Sequence, residues 1–355
     1  VLNFQFLNTF FLDAVAVQEL VSVRQPGTII GPISRFLGRF YNMLFDLINN
    51  SVSAGALGLA IIVFTLIVKT VLIPLMVNQQ KSSTKMQMFQ PEMNRIRDKY
   101  KDKKDQMSQQ RMALEMQDFQ KKNGISMLGG CLPLLAQLPI FYAMFYIFQN
   151  AYMHIDVVGQ NYVDIANVIL QIPETLRMEA FAPFAQEFVN SYENVDIIKN
   201  EGFDLARVND IVMLINYLKI DDWHQILITL GSAGDALQPL LEMKNNTETF
   251  LTISLISAPV LSGPGILVPI AAGGSTFLQS KITMATTPMP SEPGNPAAAM
   301  TKSMLYVMPI MMGFFTMSMP AGLGLYWTVS NLFGLVQSLI LKKVFSNKYA
   351  KKEAV

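Results

Sequence analysis

Cysteine is almost absent from this chain: Cys131 stands alone among 355 residues. One cysteine excludes an intramolecular disulfide and a cysteine-based zinc site. Histidine is nearly as scarce. His154 and His224 lie too far apart to form a metal motif, and each is expected at the surface. Charge is thin as well. Lys, Arg, Asp and Glu make up 15% of the chain and hydrophobic residues 51%, against about 25% charged in a typical soluble domain. Mean hydropathy is +0.32. These figures describe a polytopic membrane protein. The chain opens on Val1 rather than methionine, so its native start is expected upstream, with any cleaved signal sequence out of view.

Catalytic signatures are missing too. There is no HExxH, no glycine loop ending in Lys-Ser/Thr, and no nucleophile elbow. Gly231-Ser232-Ala233-Gly234-Asp235 superficially resembles a membrane aspartyl protease signature, but it has no partner aspartate inside an apolar run. Neither covalent catalysis nor an ATP cycle is indicated, and no cofactor or metal is expected.

What is present is a set of apolar runs. Hydropathy places spans at 54–77, 127–149, 265–283, 303–319 and 321–341. Met319-Pro320-Ala321-Gly322 separates the last two, because proline ends a helix and glycine permits a sharp reversal. The stretch 250–264 is apolar but broken by Pro259, Gly263 and Pro264, and reads as an interfacial lead-in to the third span. Charge sets the orientation. Residues 78–123 carry eleven Lys/Arg against six Asp/Glu, whereas 151–248 carry five against fifteen. The tail, 342–355, adds Lys342, Lys343, Lys348, Lys351 and Lys352. The positive-inside rule puts 78–123 and the tail in the cytosol, with the N-terminus and 151–250 outside.

The segments between spans also carry patterns. Within the outer N-terminal segment, 1–53, residues 33–49 form an amphipathic helix with Phe36, Leu37, Phe40, Tyr41, Leu44 and Leu47 on one side, suited to the outer interface. Residues 78–123 read as a helical hairpin. Met86, Phe89, Met93, Ile96 and Tyr100 make one apolar stripe, and Met112, Met116 and Phe119 a second. The hairpin serves either as a spacer touching anionic lipid or as a docking surface, with ribosomal RNA as one basic-face partner. The acidic segment 151–250 shows amphipathic stretches near 162–171, 174–190, 204–218 and 221–230.

One charge interrupts the spans in an informative place. Lys69 is the only charge between Ala54 and Val77, roughly 12 Å inside the cytosolic end at a rise of 1.5 Å per residue. A charge at such depth costs about 3 kcal/mol on insertion scales. It either snorkels toward the interface or faces protein and water. Thr65 shares its helix face. Gln137 lies in the second span. Ser275, Thr276 and Gln279 lie in the third, Thr316 and Ser318 in the fourth, and Thr328, Ser330 and Asn331 in the fifth. For most of these, hydrogen bonding between helices is a sufficient reason. The fourth span is rich in methionine, including Met304, Met308, Met311 and Met312, which suits either ordinary packing or varied apolar partners.

Several blocks together resemble one family. VKTVLIPLMVNQQKSSTKMQMFQPEMNRIRDKY, GGCLPLLAQLPIFYAMFY, STFLQSKIT and MPAGLGLYWTVSNLFGLVQSLILKK, in that order, are similar to the core of the YidC membrane protein insertases, in the five-span Gram-positive form. The resemblance implies an all-α integral membrane protein: a five-transmembrane-helix bundle with a hydrophilic groove, a cytosolic helical hairpin and an extracytoplasmic helical insertion. The groove would open to cytosol and lipid but be closed to the outside, in the plasma membrane of a bacterium. The residues expected to line the groove are Lys69, Thr65, Gln137, Thr276, Trp327 and Tyr326, of which the resemblance itself carries Lys69, Thr65 and Trp327. Lys69 falls where the family carries an arginine that attracts acidic substrate residues. Lysine keeps the charge but lacks the planar fork. Trp327 matches a substrate-contacting aromatic, although an interfacial anchor is the other reading of a tryptophan there. The 151–250 segment is longer than the usual link, and no role transfers to it.

The implied activity is insertion of nascent membrane proteins without nucleotide hydrolysis. Its implied partners are those substrates, the lipid bilayer, and the ribosome and Sec translocon, with no DNA. A transporter or channel using Lys69 as an anion site, and a non-translocating assembly factor, are the competing classes.

Overall fold

The computed structural model describes residues 20–23, 26–52, 54–103, 105–125, 132–285 and 296–353. Residues 1–19, residues 127–131 at the head of the second expected span (Cys131 among them) and residues 354–355 of the tail lie outside the described residues. So do the side chains of Met304, Lys342, Lys348, Lys351 and Lys352.

In chain order the helices are α1 (Ile30–Asn49), α2 (Ala56–Val71), α3 (Ile73–Met88), α4 (Gln90–Lys99), α5 (Gln106–Lys122), α6 (Leu132–Gln149), α7 (Ala151–His154), α8 (Asp156–Gln171), α9 (Glu174–Tyr192), α10 (Asp196–Glu201), α11 (Val208–Tyr217), α12 (Ile220–Leu230) and α13 (Gln238–Glu248). After a short antiparallel pair, β1 (Thr249–Phe250) and β2 (Ile253–Ser254), come α14 (Leu267–Ala285), α15 (Pro296–Met317) and α16 (Ala321–Glu353). That pair is the only sheet among the described residues, so the architecture is all-α.

By length and composition, Ala321–Leu341 of α16 can cross a bilayer alone, and Leu305–Met317 is a shorter apolar helix. The expected first span is not one continuous helix. Ala56–Val71 and Ile73–Met86 are long and apolar enough only together, and they meet at a 54° bend. Pro74 explains the break. It has no N–H to give the carbonyl of Thr70, and its ring crowds that carbonyl.

The chain gathers into two compact units. The first takes Val1–Phe64, Ile140–Gly265 and Ser318–Leu323. Its centre is aromatic. Tyr41 of α1 donates to the Leu57 carbonyl at 2.9 Å and meets the Phe64 and Phe148 rings edge-on, each at 5.8 Å. The buried side of α1 is Ser34, Gly38, Tyr41, Leu44 and Phe45, while Phe36 and Leu47 are exposed. The single apolar face read from periodicity is therefore split, because Gly38 lets a neighbouring segment approach where a side chain would block it. The acidic helices α8, α9, α11 and α12 bury Ile165, Ile169, Phe181, Phe188, Ile211, Leu214, Trp223 and Ile226. Arg177 is buried and donates to the carbonyls of Leu170 and Ile172. It thus satisfies the otherwise open end of α8.

His154 corrects an expectation. It is half-buried rather than exposed, tucked against Gly38, where a Cβ would lie 2.6 Å from its Nδ1, with its ring 5.5 Å from that of Tyr146. Its Nε2 is buried with no hydrogen-bond partner among the described residues. His224 is exposed. Burial pushes the His154 imidazole down to about 4, below the unfolded value of about 6.5. From pH 6.5 down to 4 the unfolded chain therefore holds a proton that the folded state refuses. Stability falls as pH falls through that window, by about 1.4 kcal/mol per unit. The thermal midpoint in detergent is expected to drop between pH 7 and pH 5, and His154→Gln to flatten that drop. An unchanged pH profile in the variant would show that His154 is not its source.

The second unit takes Thr65–Pro139, Ile266–Met317 and Gly324–Val355. In it α14 and α15 run together, with Gly273 so close to the partner that a Cβ would sit 3.0 Å from the Pro309 carbonyl oxygen. Small residues allow this approach between apolar helices. The charged hairpin is closed by Phe89 against Phe119, by the Lys99–Glu115 ion pair at 2.8 Å, and by Tyr100 donating to Glu115 at 2.8 Å. Met93 is buried beneath. Asp105 caps α5 by accepting from the Ser108 N–H at 2.8 Å, the expected role of an aspartate at a helix start.

Candidate functional site

Lys69 lies in the last turn of α2, two residues before the helix breaks. Its ammonium donates to Gln137 Oε1 at 3.0 Å. The Gln137 amide in turn donates to the Tyr326 hydroxyl in a short hydrogen bond. Gln137 stands two residues before Pro139 inside α6, and Tyr326 is fully buried in the first turns of α16. Three helices thus contribute one residue each to a chain of hydrogen bonds that carries one positive charge. Among the described residues no carboxylate forms an ion pair with Lys69. An ammonium has three donors, and Gln137 is neutral. Among the described residues the charge is held in place but not cancelled.

A second cluster joins α14 and α16. Trp327 Nε1 donates to Thr276 Oγ1 at 2.8 Å. The Asn331 amide lies 3.0 Å from Thr276 Oγ1 and 3.2 Å from Ser275 Oγ. With its oxygen turned toward the cluster, it also accepts from Trp327 Nε1 at 3.0 Å. Ser275 and Thr276 both donate back to the Ala272 carbonyl, at 3.1 and 2.7 Å. Trp327 follows Tyr326 directly, so adjacent residues of α16 belong to the two clusters.

Of the sequence-derived residues, the fold brings Lys69, Gln137 and Tyr326 into one hydrogen-bonded set and Thr276 and Trp327 into another. Thr65 lies one turn before Lys69 on α2 and is buried. Ser275 and Asn331 were legible only as polar residues in apolar runs. The signal that could have selected Asn331 is its spacing of four from Trp327, which puts both on one helix face. Thr70, Thr316 and Thr328 instead bond carbonyls of their own helices, so a bond within the helix, rather than one between helices, satisfies them. No group of three or more His, Cys, Asp or Glu could hold a metal among the described residues.

The model of the family described as 60Kd inner membrane protein matches residues 48–218 and 224–348. The chain belongs to that family, the YidC family. Within it, the chain is 28% identical over 311 residues to the membrane protein insertase YidC 2 of Bacillus anthracis, covering 88% of this chain and 78% of that one. It is 30% identical over 287 residues to the membrane protein insertase YidC of Oceanobacillus iheyensis, covering 81% and 74%. It is 27% identical over 285 residues to the membrane protein insertase MisCA of Bacillus subtilis, covering 80% and 70%. Family membership makes this an all-α membrane protein.

Proposed function

We propose that this chain is a membrane protein insertase that admits the polar flank of a nascent membrane protein into a hydrophilic groove without nucleotide hydrolysis. The observation that carries the reading is Lys69, a charge tethered by the neutral Gln137, itself bonded to Tyr326, with no carboxylate paired to it among the described residues. The names of the relatives as insertases support it. In this reading five spans enclose the groove, at 54–77, 127–149, 265–283, 303–319 and 321–341. The N-terminus and 151–250 lie outside, and the hairpin and tail lie in the cytosol.

The physical problem is desolvation. A polar or acidic flank must leave water to cross hydrocarbon, at a cost of about 3 kcal/mol per charge even on the mild insertion scale. A groove lined by Lys69, Thr65, Gln137, Thr276, Tyr326 and Trp327 supplies polar partners part-way and shortens the remaining apolar path. Lys69 draws a substrate carboxylate with the donors that Gln137 leaves over. The substrate helix then leaves sideways into lipid, where burial of apolar surface completes the step. The membrane potential adds about 2.3 kcal/mol per charge per 100 mV to an acidic flank moving outward. Ribosome and translocon are the partners this reading adds on the cytosolic side.

The test is reconstitution of this protein alone into liposomes, with a single-span substrate carrying an acidic outer flank. Protease protection of the flank is the expected result. Solute flux in the absence of substrate would instead favour a transporter or channel. Binding of the substrate with its flank left unprotected would favour an assembly factor.

A further inference from the structure

The acidic segment 151–250 has no role in the reading above, yet its end is tied by several contacts to the rest of the first unit. Glu248, the last residue of α13, is buried, and its side chain is held from two sides. Tyr162 of α8 donates to its Oε1 at 2.8 Å, and Lys244 pairs with its Oε2 at 2.7 Å. The Glu248 carbonyl accepts from the Leu255 N–H at 2.8 Å. Between them the chain makes the β1–β2 hairpin, whose tip residues Leu251 and Thr252 have φ of 49° and 67°. Non-glycine residues rarely hold that conformation, so the flanking contacts fix the tip.

Those contacts reach the outer ends of two spans. Phe250 covers Gly55 and Gly58 at the start of α2, so closely that a Cβ on Gly58 would lie 2.2 Å from its Cγ. Leu255 accepts from the Gly322 N–H at 2.8 Å, and Ser257 from the Ala321 N–H at 2.9 Å. Ala321 and Gly322 open α16, and the free N–H groups of a helix start need such acceptors. Gly322 is itself packed against Ile61 and Phe148. A rigid path therefore runs from α8 through Glu248 and the hairpin to the heads of α2 and α16.

We propose that residues 248–257 are an outer seal: the end of the insertion and the turn that follows it clasp the outer ends of the first and fifth spans and close them to water and ions. This rests on the reading that 151–250 lies outside the membrane. The seal gives the insertion a function, which is to hold the permeability barrier on one side while polar flanks enter from the other.

Single cysteines in a Cys131→Ser background test it in intact cells or oriented vesicles, using a membrane-impermeant maleimide added outside. Ile228→Cys reports topology, since Ile228 is 68% exposed on the insertion. Ile61→Cys reports the seal, since Ile61 is fully buried beside Gly322. Ile228→Cys is expected to label from outside and Ile61→Cys to stay protected. Adding Gly58→Leu, which drives a side chain into Phe250, is expected to raise Ile61→Cys labelling at least tenfold. Adding Phe250→Ala to Gly58→Leu makes room for the wedge and is expected to restore protection. If Gly58→Leu prevents folding, Phe250→Ala alone uncovers the glycine face and is expected to raise labelling, while Phe250→Leu keeps it low. Ile228→Cys labelled only from the cytosolic side overturns the topology and the seal with it. Ile228→Cys labelled from outside, with Ile61→Cys equally protected in every clasp variant, overturns the seal alone.

Discussion

Replacing Lys69 with alanine is expected to slow insertion of a substrate bearing one aspartate in its outer flank by tenfold or more, and Lys69→Glu to slow it further. A charge pair about 5 Å apart in an effective dielectric of about 20 is worth about 3 kcal/mol, and a loss of half of that is already about tenfold. Lys69→Arg keeps the charge and is expected to retain most of the activity. A substrate whose flank carries no carboxylate is expected to insert equally well with all four residues. That control separates attraction from general damage to the fold. Equal rates for the acidic flank across the series would remove Lys69 from the mechanism and leave the work to polar contacts alone.

The second large effect is predicted at Gln137, where stability and activity should part company. Gln137→Glu places a carboxylate where Lys69 now meets an amide oxygen at 3.0 Å. A neighbouring ammonium favours the ionised acid, so the two groups pair and the free charge disappears. The variant is expected to be at least as stable in thermal unfolding as the unaltered protein, yet to insert acidic flanks as poorly as Lys69→Ala. Gln137→Leu should do the reverse to stability. It strips the ammonium of its acceptor among the described residues, and losing a hydrogen bond to a charged group costs about 1.5–3 kcal/mol. A Gln137→Glu protein that inserts normally would mean that Lys69 acts through something other than its uncancelled charge.

The two clusters also differ in what a substitution can reveal. Ser275 and Thr276 each keep a bond to the Ala272 carbonyl whatever happens to Asn331 or Trp327. Among the described residues Lys69 bonds Gln137 alone, which is why the larger effects are expected there.

Much of this was legible in the residues themselves. The membrane class followed from 15% charge and long apolar runs, because hydrocarbon tolerates little else. The hairpin's first apolar stripe followed from the 3–4 spacing of Met86, Phe89, Met93, Ile96 and Tyr100. Lys69 stood out because a charge in an apolar run is costly wherever it sits. Family membership followed from blocks in a fixed order. All of these are properties of local sequence or of composition.

Other features depended on residues far apart in the chain, and only the tertiary structure decided them. Which amide would hold Lys69 depended on α6 and α16 meeting α2, and nothing at Gln137 or Tyr326 distinguishes them from other polar residues in apolar runs. His154 looked like a surface histidine until Gly38 made room for it, and a glycine's openness has meaning only once the neighbour is known. The role of 248–257 was hidden for the same reason. Phe250, Gly58 and Gly322 are ordinary in sequence and informative only in contact. Periodicity reports which face of a helix is apolar, but partner choice is set by shape and by the need to satisfy every buried N–H and carbonyl, and those conditions exist only in the folded chain.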